Sequence, residues 1–474
     1  MEGNSKPLVD QPWKSLLHLF KLPLFLLLIA AEAYITIKRW QPMFQLLPVL
    51  CILIYLAIQH YLSRPLPVYL LDFSCLRPPR HHRIPTSAFL EHATLHNYFD
   101  KDSLEFMSKI ITLSGQGEET YLPTPLHYFP PKTGLRDSIG EAHSLFFPVI
   151  DDLFSKTRVT PRDVDVLIVN CSGFCPSPSL SSIIVNRYAM RDDIKSFNLS
   201  GMGCSAGAIG IDVARTLLRK RENSYAVIVS TEILSTGWYA GKDKRKLLLN
   251  CLFRMGCSAV MLTNKREEKS SSKYRLVKLL RTQRAFDDKA YRSAIREEDS
   301  EGITGFTLER GLLQVAADTL RDNVFGLGLS VLPLREKIVY GFHMLLLASK
   351  LFKKGDQYVP DFSSAIQHYC LPASGKAVVR EIGKGLKMRK EEMEASLMTF
   401  QRFGNQSSSS MWYQMAYMEA KGKVKEGDRV CQLAMGSGPK CNSVVWESLR
   451  DSSLDEAKKG PWFDCIGRYP LNDD

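Results

Sequence analysis

Two apolar runs stand close together near the start of the chain, and they constrain its topology more than any other feature. The first, Leu22 to Ile37, is interrupted only by Glu32 and Thr36; the second, Met43 to Leu62, contains no Lys, Arg, Asp or Glu. Each approaches the roughly 20 residues that cross a hydrocarbon core. Between them Lys38-Arg39-Trp40-Gln41-Pro42 supplies charge, an interfacial aromatic and a helix breaker. A transmembrane hairpin of two helices is therefore expected over 22–63, after an N-terminal tail of 1–21. Glu32 favours the competing arrangement, two buried core helices, because a carboxylate in mid-membrane is costly. Lys14, Lys21, Lys38, Arg39 and Arg64 nearly balance across the hairpin, so they leave its orientation open. No small-residue cleavage site follows the first run, which argues against a secretory leader.

The rest of the 474 residues reads as globular: 45% of the chain is hydrophobic and 24% charged, enough for one large catalytic domain or two fused halves. A formal charge of +12 suits anionic headgroups or phosphate-bearing ligands. There is no zinc finger, RNA-recognition signature or arginine-rich arm, so nucleic acid is not an expected partner. Eleven cysteines are scattered through the chain as reduced, cytosol-facing thiols would be. Cys171 and Cys175 have no matching Cys/His pair at ligand spacing, so no metal site is expected.

Residues 64–85, with Arg64-Pro65-Leu66-Pro67 and Arg77-Pro78-Pro79-Arg80-His81-His82-Arg83, read as a stiff basic linker beside the membrane. Beyond it, strand and helix patterns alternate over 86–460. Val164 to Asn170, Tyr225 to Ser230, Ser258 to Thr263, Arg429 to Met435 and Ser443 to Trp446 read as strands; Ser205 to Arg221 and Lys376 to Leu386 read as helices. This is an α/β pattern, compatible with one half used twice, 86–265 and 266–460, before a C-terminal tail of 461–474. The apolar stretch Lys337 to Phe352 is short for a span and is expected to be core, with a helix on the membrane surface as the other reading.

The main chemical signal is Asn198-Leu199-Ser200-Gly201-Met202-Gly203-Cys204-Ser205-Ala206-Gly207, running straight into a helical segment. It sets one cysteine at a strand-to-helix turn. Glycines let backbone approach a ligand, and the helix start is expected to lower the thiol pKa toward the thiolate that attacks a thioester.

Further motifs follow in order: N-C-L-F-R-M-G at Asn250 to Gly256, R-F-G-N-Q-S-S-S-S at Arg402 to Ser410 and G-S-G-P-K-C-N-S at Gly436 to Ser443. P-V-Y-L-L-D-F-S-C at Pro67 to Cys75, G-E-E-T-Y-L-P at Gly117 to Pro123 and P-S-P-S-L-S at Pro176 to Ser181 extend the set. Over nearly its whole length the chain resembles the plant 3-ketoacyl-CoA synthases, the condensing enzymes of very-long-chain fatty acid elongation. The resemblance implies a thiolase-like α-β-α-β-α fold, an endoplasmic-reticulum anchor and a catalytic domain on the cytosolic face. It implies a decarboxylating Claisen condensation of long-chain or very-long-chain acyl-CoA with malonyl-CoA, giving 3-oxoacyl-CoA, CO2 and CoA without metal or redox cofactor. Membrane lipid, other elongase subunits and a homo- or heterodimer are the implied partners.

On this resemblance Cys204 is the acyl-accepting nucleophile and Asn405 the oxyanion donor, with Gly203, Gly404, Gly436 and Gly438 as backbone glycines near the site. The chain departs from the family at the histidines. Where the family shows H-x-x-x-H-x-G-G, this chain reads His368 to Gly375, keeping the first histidine and placing Pro372 at the second. Two further family histidines correspond to Gln283 and Gln401. His368 thus becomes a candidate site residue, with a hydrogen-bonded core role as its alternative. Two functions follow: a condensing enzyme of reduced activity, or a regulatory or binding subunit of the elongase. A soluble polyketide-type synthase of the same superfamily is disfavoured by the hairpin.

Overall fold

A computed structural model describes residues 27, 30, 31, 34, 49–56, 66–96, 98–348, 358–453 and 460–471. Most of the expected hairpin lies outside the described residues. Residues 49–56 are helical, and among the described residues no helix is long and apolar enough to cross a membrane. The chain divides into two compact units, Met1–Leu66 and Pro67–Asp474.

The second unit is built on one sheet of nine strands: β1 (Tyr69–Cys75), β2 (Val164–Asn170), β3 (Lys195–Leu199), β4 (Tyr225–Thr231), β5 (Cys257–Thr263), β6 (Tyr274–Gln283), β7 (His368–Cys370), β8 (Arg429–Gly436) and β9 (Lys440–Ser448). Their order is β7-β8-β9-β6-β1-β5-β4-β2-β3. Every residue of β2, β4 and β5 is buried, which is why these strands read as continuous apolar runs.

The two parts of the sheet pair alike. In the first half β1 is antiparallel to β5, β5 antiparallel to β4, and β4 parallel to β2. In the second half β6 is antiparallel to β9, β9 antiparallel to β8, and β8 parallel to β7. The halves join where Tyr69 and Leu70 of β1 pair with Arg275 and Tyr274 of β6. Beside this seam Lys273 Nζ reaches Asp72 Oδ1 at 2.9 Å and Glu419 Oε2 at 3.0 Å, while Tyr274 donates to Glu419 Oε1 at 2.9 Å.

Six helices complete the layers. Outer helix α1 (Leu135–Thr157) packs on β1 and β5, and outer helix α3 (Leu312–Val331) packs on β6 and β9. Between the half-sheets run α2 (Ala206–Leu218), touching β2 and β4 on one side and β8 and β9 on the other, and α6 (Ser410–Ala420), touching β1, β7 and β8. All of α6 is buried, as a helix with strands on both sides must be. Helix α5 (Lys390–Phe403) leads into α6, and α4 (Leu334–Ala348) follows α3.

Three expectations need correction. Residues 67–85 are not a linker: β1 sits in mid-sheet, where its apolar residues pack against α1 and α6, so the catalytic unit starts at Pro67 rather than near 86. Residues 461–471 are not a loose tail either, because Trp462, Cys465 and Tyr469 are buried in the main core and the Trp462 indole N–H donates to the Tyr413 carbonyl at 2.9 Å; 472–474 lie outside the described residues. Finally, α4 is not core: Leu334, Ile338, Phe342 and Leu345 are 61 to 71% exposed and recur at helical spacing along one stripe.

Candidate active site

The two central helices begin close together, and that meeting point is the site. Cys204 lies in a single 3-10 turn, Gly203–Ser205, immediately before α2; Asn405 and the turn Ser407–Ser409 immediately precede α6, and the two turns are in contact. Gly203 has φ of +59°, and a Cβ there would stand 2.6 Å from the Ser437 nitrogen. A Cβ on Gly436 would meet the Met202 carbonyl at 2.3 Å. Glycine at both positions therefore lets the nucleophile turn press against the end of β8.

Asn405 is buried and fixed through its backbone: its N–H donates to the Leu252 carbonyl at 3.0 Å, and its carbonyl accepts from Arg254 N–H at 2.8 Å. Gly404 (φ +67°) permits this, since a Cβ would lie 2.4 Å from Arg254 Cγ. Arg402 is held apart from the site by the G-E-E-T-Y segment, with Nη2 donating to Tyr121 at 2.6 Å and Nε 3.3 Å from Glu119. The Asn405 Oδ1 accepts from Ser407 N–H at 2.7 Å, which turns the amide NH2 outward. Ser407 and this amide lie beside Cys204 and favour its ionised form. Ser407 adopts φ of +55°, a left-handed conformation uncommon for serine.

Cys204 is partly exposed. Its pKa is not lowered, as the helix start led us to expect, but pushed up to about 11: burial disfavours the thiolate more than Ser407 and Asn405 favour it, and the Glu232 carboxylate adds a smaller repulsion. Glu232, unremarked in the sequence reading, accepts from Gly173 N–H at 2.6 Å, Ser172 N–H at 3.3 Å and Ser407 Oγ at 3.3 Å.

The remaining sequence candidates are elsewhere. His368 is corrected: it opens β7 opposite Val430, six positions before Gly436 in β8, roughly 20 Å from the Cys204 end at about 3.3 Å per residue. Its Nε2 pairs with Asp428 Oδ2 at 3.0 Å, a structural role. Gln401 lies on α5 with its Oε1 accepting from Tyr469 at 2.8 Å. Gln283 is exposed at the end of β6 opposite Lys440, and Gly438 shapes the β8-β9 turn. Pro372 is buried just past β7, at the Cys204 end of the sheet. Among the described residues no cluster could hold a metal ion.

A layered α/β fold with a cysteine and an asparagine at the starts of its two central helices defines a thiolase-like condensing-enzyme architecture. Residues 60–351 match the family described as FAE1/Type III polyketide synthase-like protein, and residues 363–448 match 3-Oxoacyl-[acyl-carrier-protein (ACP)] synthase III C terminal. The chain is 48% identical to 3-ketoacyl-CoA synthase 4 of Arabidopsis thaliana over 421 residues, 89% of this chain and 81% of that protein. It is 43% identical to 3-ketoacyl-CoA synthase 17 of the same plant, over 96% of this chain and 95% of that one. Among solved structures, the bacterial type III polyketide synthase 1,3,6,8-tetrahydroxynaphthalene synthase from Streptomyces coelicolor A3(2) superimposes with TM-score 0.62 at 18% identity, over 80% of this chain and 99% of the other. PKS-I from the brown alga Ectocarpus siliculosus gives 0.62 at 16%, over 81% and 99%. The chain belongs to the 3-ketoacyl-CoA synthase family.

Proposed function

We propose that this chain condenses a long-chain or very-long-chain acyl-CoA with malonyl-CoA to 3-oxoacyl-CoA, CO2 and CoA, the first step of fatty acid elongation. The observation that carries this is the convergence of Cys204 and Asn405 at the two central helix starts, in a chain closely similar to named 3-ketoacyl-CoA synthases. The Cys204 thiolate attacks the acyl thioester and CoA leaves. Malonyl-CoA then loses CO2, and the Asn405 NH2 donates to the enolate oxygen where negative charge develops. Decarboxylation itself provides the carbanion, so the reaction requires neither metal nor redox cofactor.

Condensation is slow relative to acyl loading in this account. Loading needs the thiolate, whereas decarboxylation uses two donors at the enolate, and Pro372 offers none where the resemblance implies imidazole. Losing one such donor costs on the order of 10²- to 10³-fold in rate. The test is single-turnover acylation of Cys204 by mass spectrometry beside condensation with labelled malonyl-CoA. Acylation much faster than condensation supports the reading; equal rates contradict it.

The site works at an endoplasmic-reticulum membrane, through a multi-pass anchor and with the catalytic unit facing the cytosol, alongside other elongase subunits or a second copy of the chain. Support comes from the apolar runs before residue 64 and from the exposed stripe Leu334, Ile338, Phe342, Leu345 on α4, which suits a lipid surface.

A further inference from the structure

Among the described residues no histidine is one of the groups that act on the Cys204 thiol, so another group must accept its proton when the acyl group is loaded. The groups in reach are few. The turn Ser407–Ser409 packs on the turn that carries Cys204, Ser407 favours the ionised thiol, and its Oγ donates to Glu232 Oε2 at 3.3 Å. The Glu232 carboxylate is held in place by the N–H groups of Gly173 and Ser172, and the Cys171 thiol lies 3.6 Å from its Oε1. Of other titratable groups, Glu141 is nearby and electrostatically coupled to Glu232; its own carboxyl is occupied by Leu234 N–H at 2.7 Å and Ser235 N–H at 2.9 Å. Glu232 thus stands in a contiguous line behind the nucleophile, and the condensation chemistry proposed above leaves it without a task.

We propose that Cys204, Ser407 and Glu232 form a proton relay in which Glu232, acting through the Ser407 hydroxyl, is the base for acyl loading. The inference rests on the acyl-transfer reading of Cys204. As Sγ attacks the acyl carbonyl carbon, its proton passes to Ser407 Oγ while the Ser407 hydroxyl proton passes to Glu232 Oε2. The S–C bond to Cys204 forms, the thioester C–S bond to CoA breaks, and the proton held on Glu232 returns through Ser407 to the departing CoA sulfur. The products are acyl-Cys204, CoA-SH and an ionised Glu232, so charge and protons balance.

Electrostatics make the transfer self-consistent. The repulsion that Glu232 exerts on a thiolate exists only while Glu232 is ionised, and it vanishes in the step that creates the thiolate. Burial raises the carboxyl pKa of Glu232 above its ordinary value, which improves it as a base.

The relay and a merely electrostatic Glu232 predict opposite results. Glu232→Gln removes the negative charge, so a spectator role makes Cys204 easier to ionise and speeds both iodoacetamide alkylation and acylation. In the relay, alkylation at high pH speeds up while acylation by acyl-CoA at pH 7.5 falls, on the order of 10²-fold, the lower range for general-base catalysis. Ser407→Ala is expected to slow acylation likewise, and Glu232→Asp to recover part of it. In the parent, acylation should show an acid limb from Glu232 that disappears in Glu232→Gln. The alkylation measurement doubles as a check that the variant site is intact. Acylation unchanged or faster in Glu232→Gln overturns the relay while leaving Cys204 as nucleophile. A parent that does not acylate at Cys204 overturns the functional reading and the relay with it.

Discussion

Cys204 is a thiol at neutral pH in this structure, and its ionisation sets the chemistry. With the pKa pushed up to about 11, the thiolate fraction rises about tenfold per pH unit below that value and levels only above it. Iodoacetamide alkylation followed by mass spectrometry should therefore climb through pH 8, 9 and 10 without a plateau near neutrality; a plateau by pH 8 would contradict the described site. Pro372→His places a cation-forming ring at the Cys204 end of β7. It is expected to bring that midpoint down by about one to three units and to raise condensation. An unshifted profile with unchanged turnover would show the missing imidazole to be unimportant. Cys204 and Asn405 were legible because each sits in a glycine-bearing motif whose local geometry carries its role. Ser407 and Glu232 were not, since Glu232 meets the site only through packing of β4 against the turn before α6; the serine run Ser407 to Ser410 was the one available signal. His368 is the histidine of the family motif that this chain keeps, but it opens an extended strand that carries it away from the Cys204 end.

Elements matter here mainly through where they start. The close approach of the Cys204 turn to β8 leaves no room for a side chain at Gly436. Gly436→Ala should cost roughly 1 to 3 kcal/mol of stability by forcing the Cys204 turn away from β8, with a larger proportional loss of acylation, since the nucleophile is displaced. Thermal unfolding and the acylation rate check this together, and a variant with parental melting and parental loading would disprove the contact. Buried strands were legible as unbroken apolar runs, as in Val164–Asn170, Tyr225–Thr231 and Cys257–Thr263. Strand β6 was not, because its burial alternates with exposed charged and polar residues, and β1 was hidden by the prolines on either side. Helix α4 was misread since sixteen apolar-rich residues look alike whether they face a core or lipid. The exposed stripe rules out a core position; on the lipid reading proposed above, Phe342→Trp in reconstituted protein should be quenched by brominated lipids while Phe286→Trp, 84% exposed just after β6, should not, and equal quenching would refute the lipid contact.

At the scale of the whole molecule, two similarly paired half-sheets enclose two central helices, and one active site arises where those helices begin. The seam between halves is short in hydrogen bonds, so the Asp72-Lys273-Glu419 cluster beside it carries unusual weight. Lys273→Met would leave the buried Glu419 and the half-buried Asp72 without their shared cation and should destabilise the catalytic unit by about 3 kcal/mol, seen as a lowered unfolding midpoint. An unchanged midpoint would mean that the seam is held otherwise. Duplication was legible only as a repeated strand-helix alternation, because the two halves share pairing topology rather than residues. The most direct measurement of the central claim is condensation by the purified full chain in detergent, scanning acyl-CoA lengths against labelled malonyl-CoA, with Cys204→Ala alongside. Labelled 3-oxoacyl-CoA from the parent, an acyl group on Cys204 and neither in Cys204→Ala are the predicted results; product formation that survives Cys204→Ala, or a parent that neither loads nor condenses, would contradict the account.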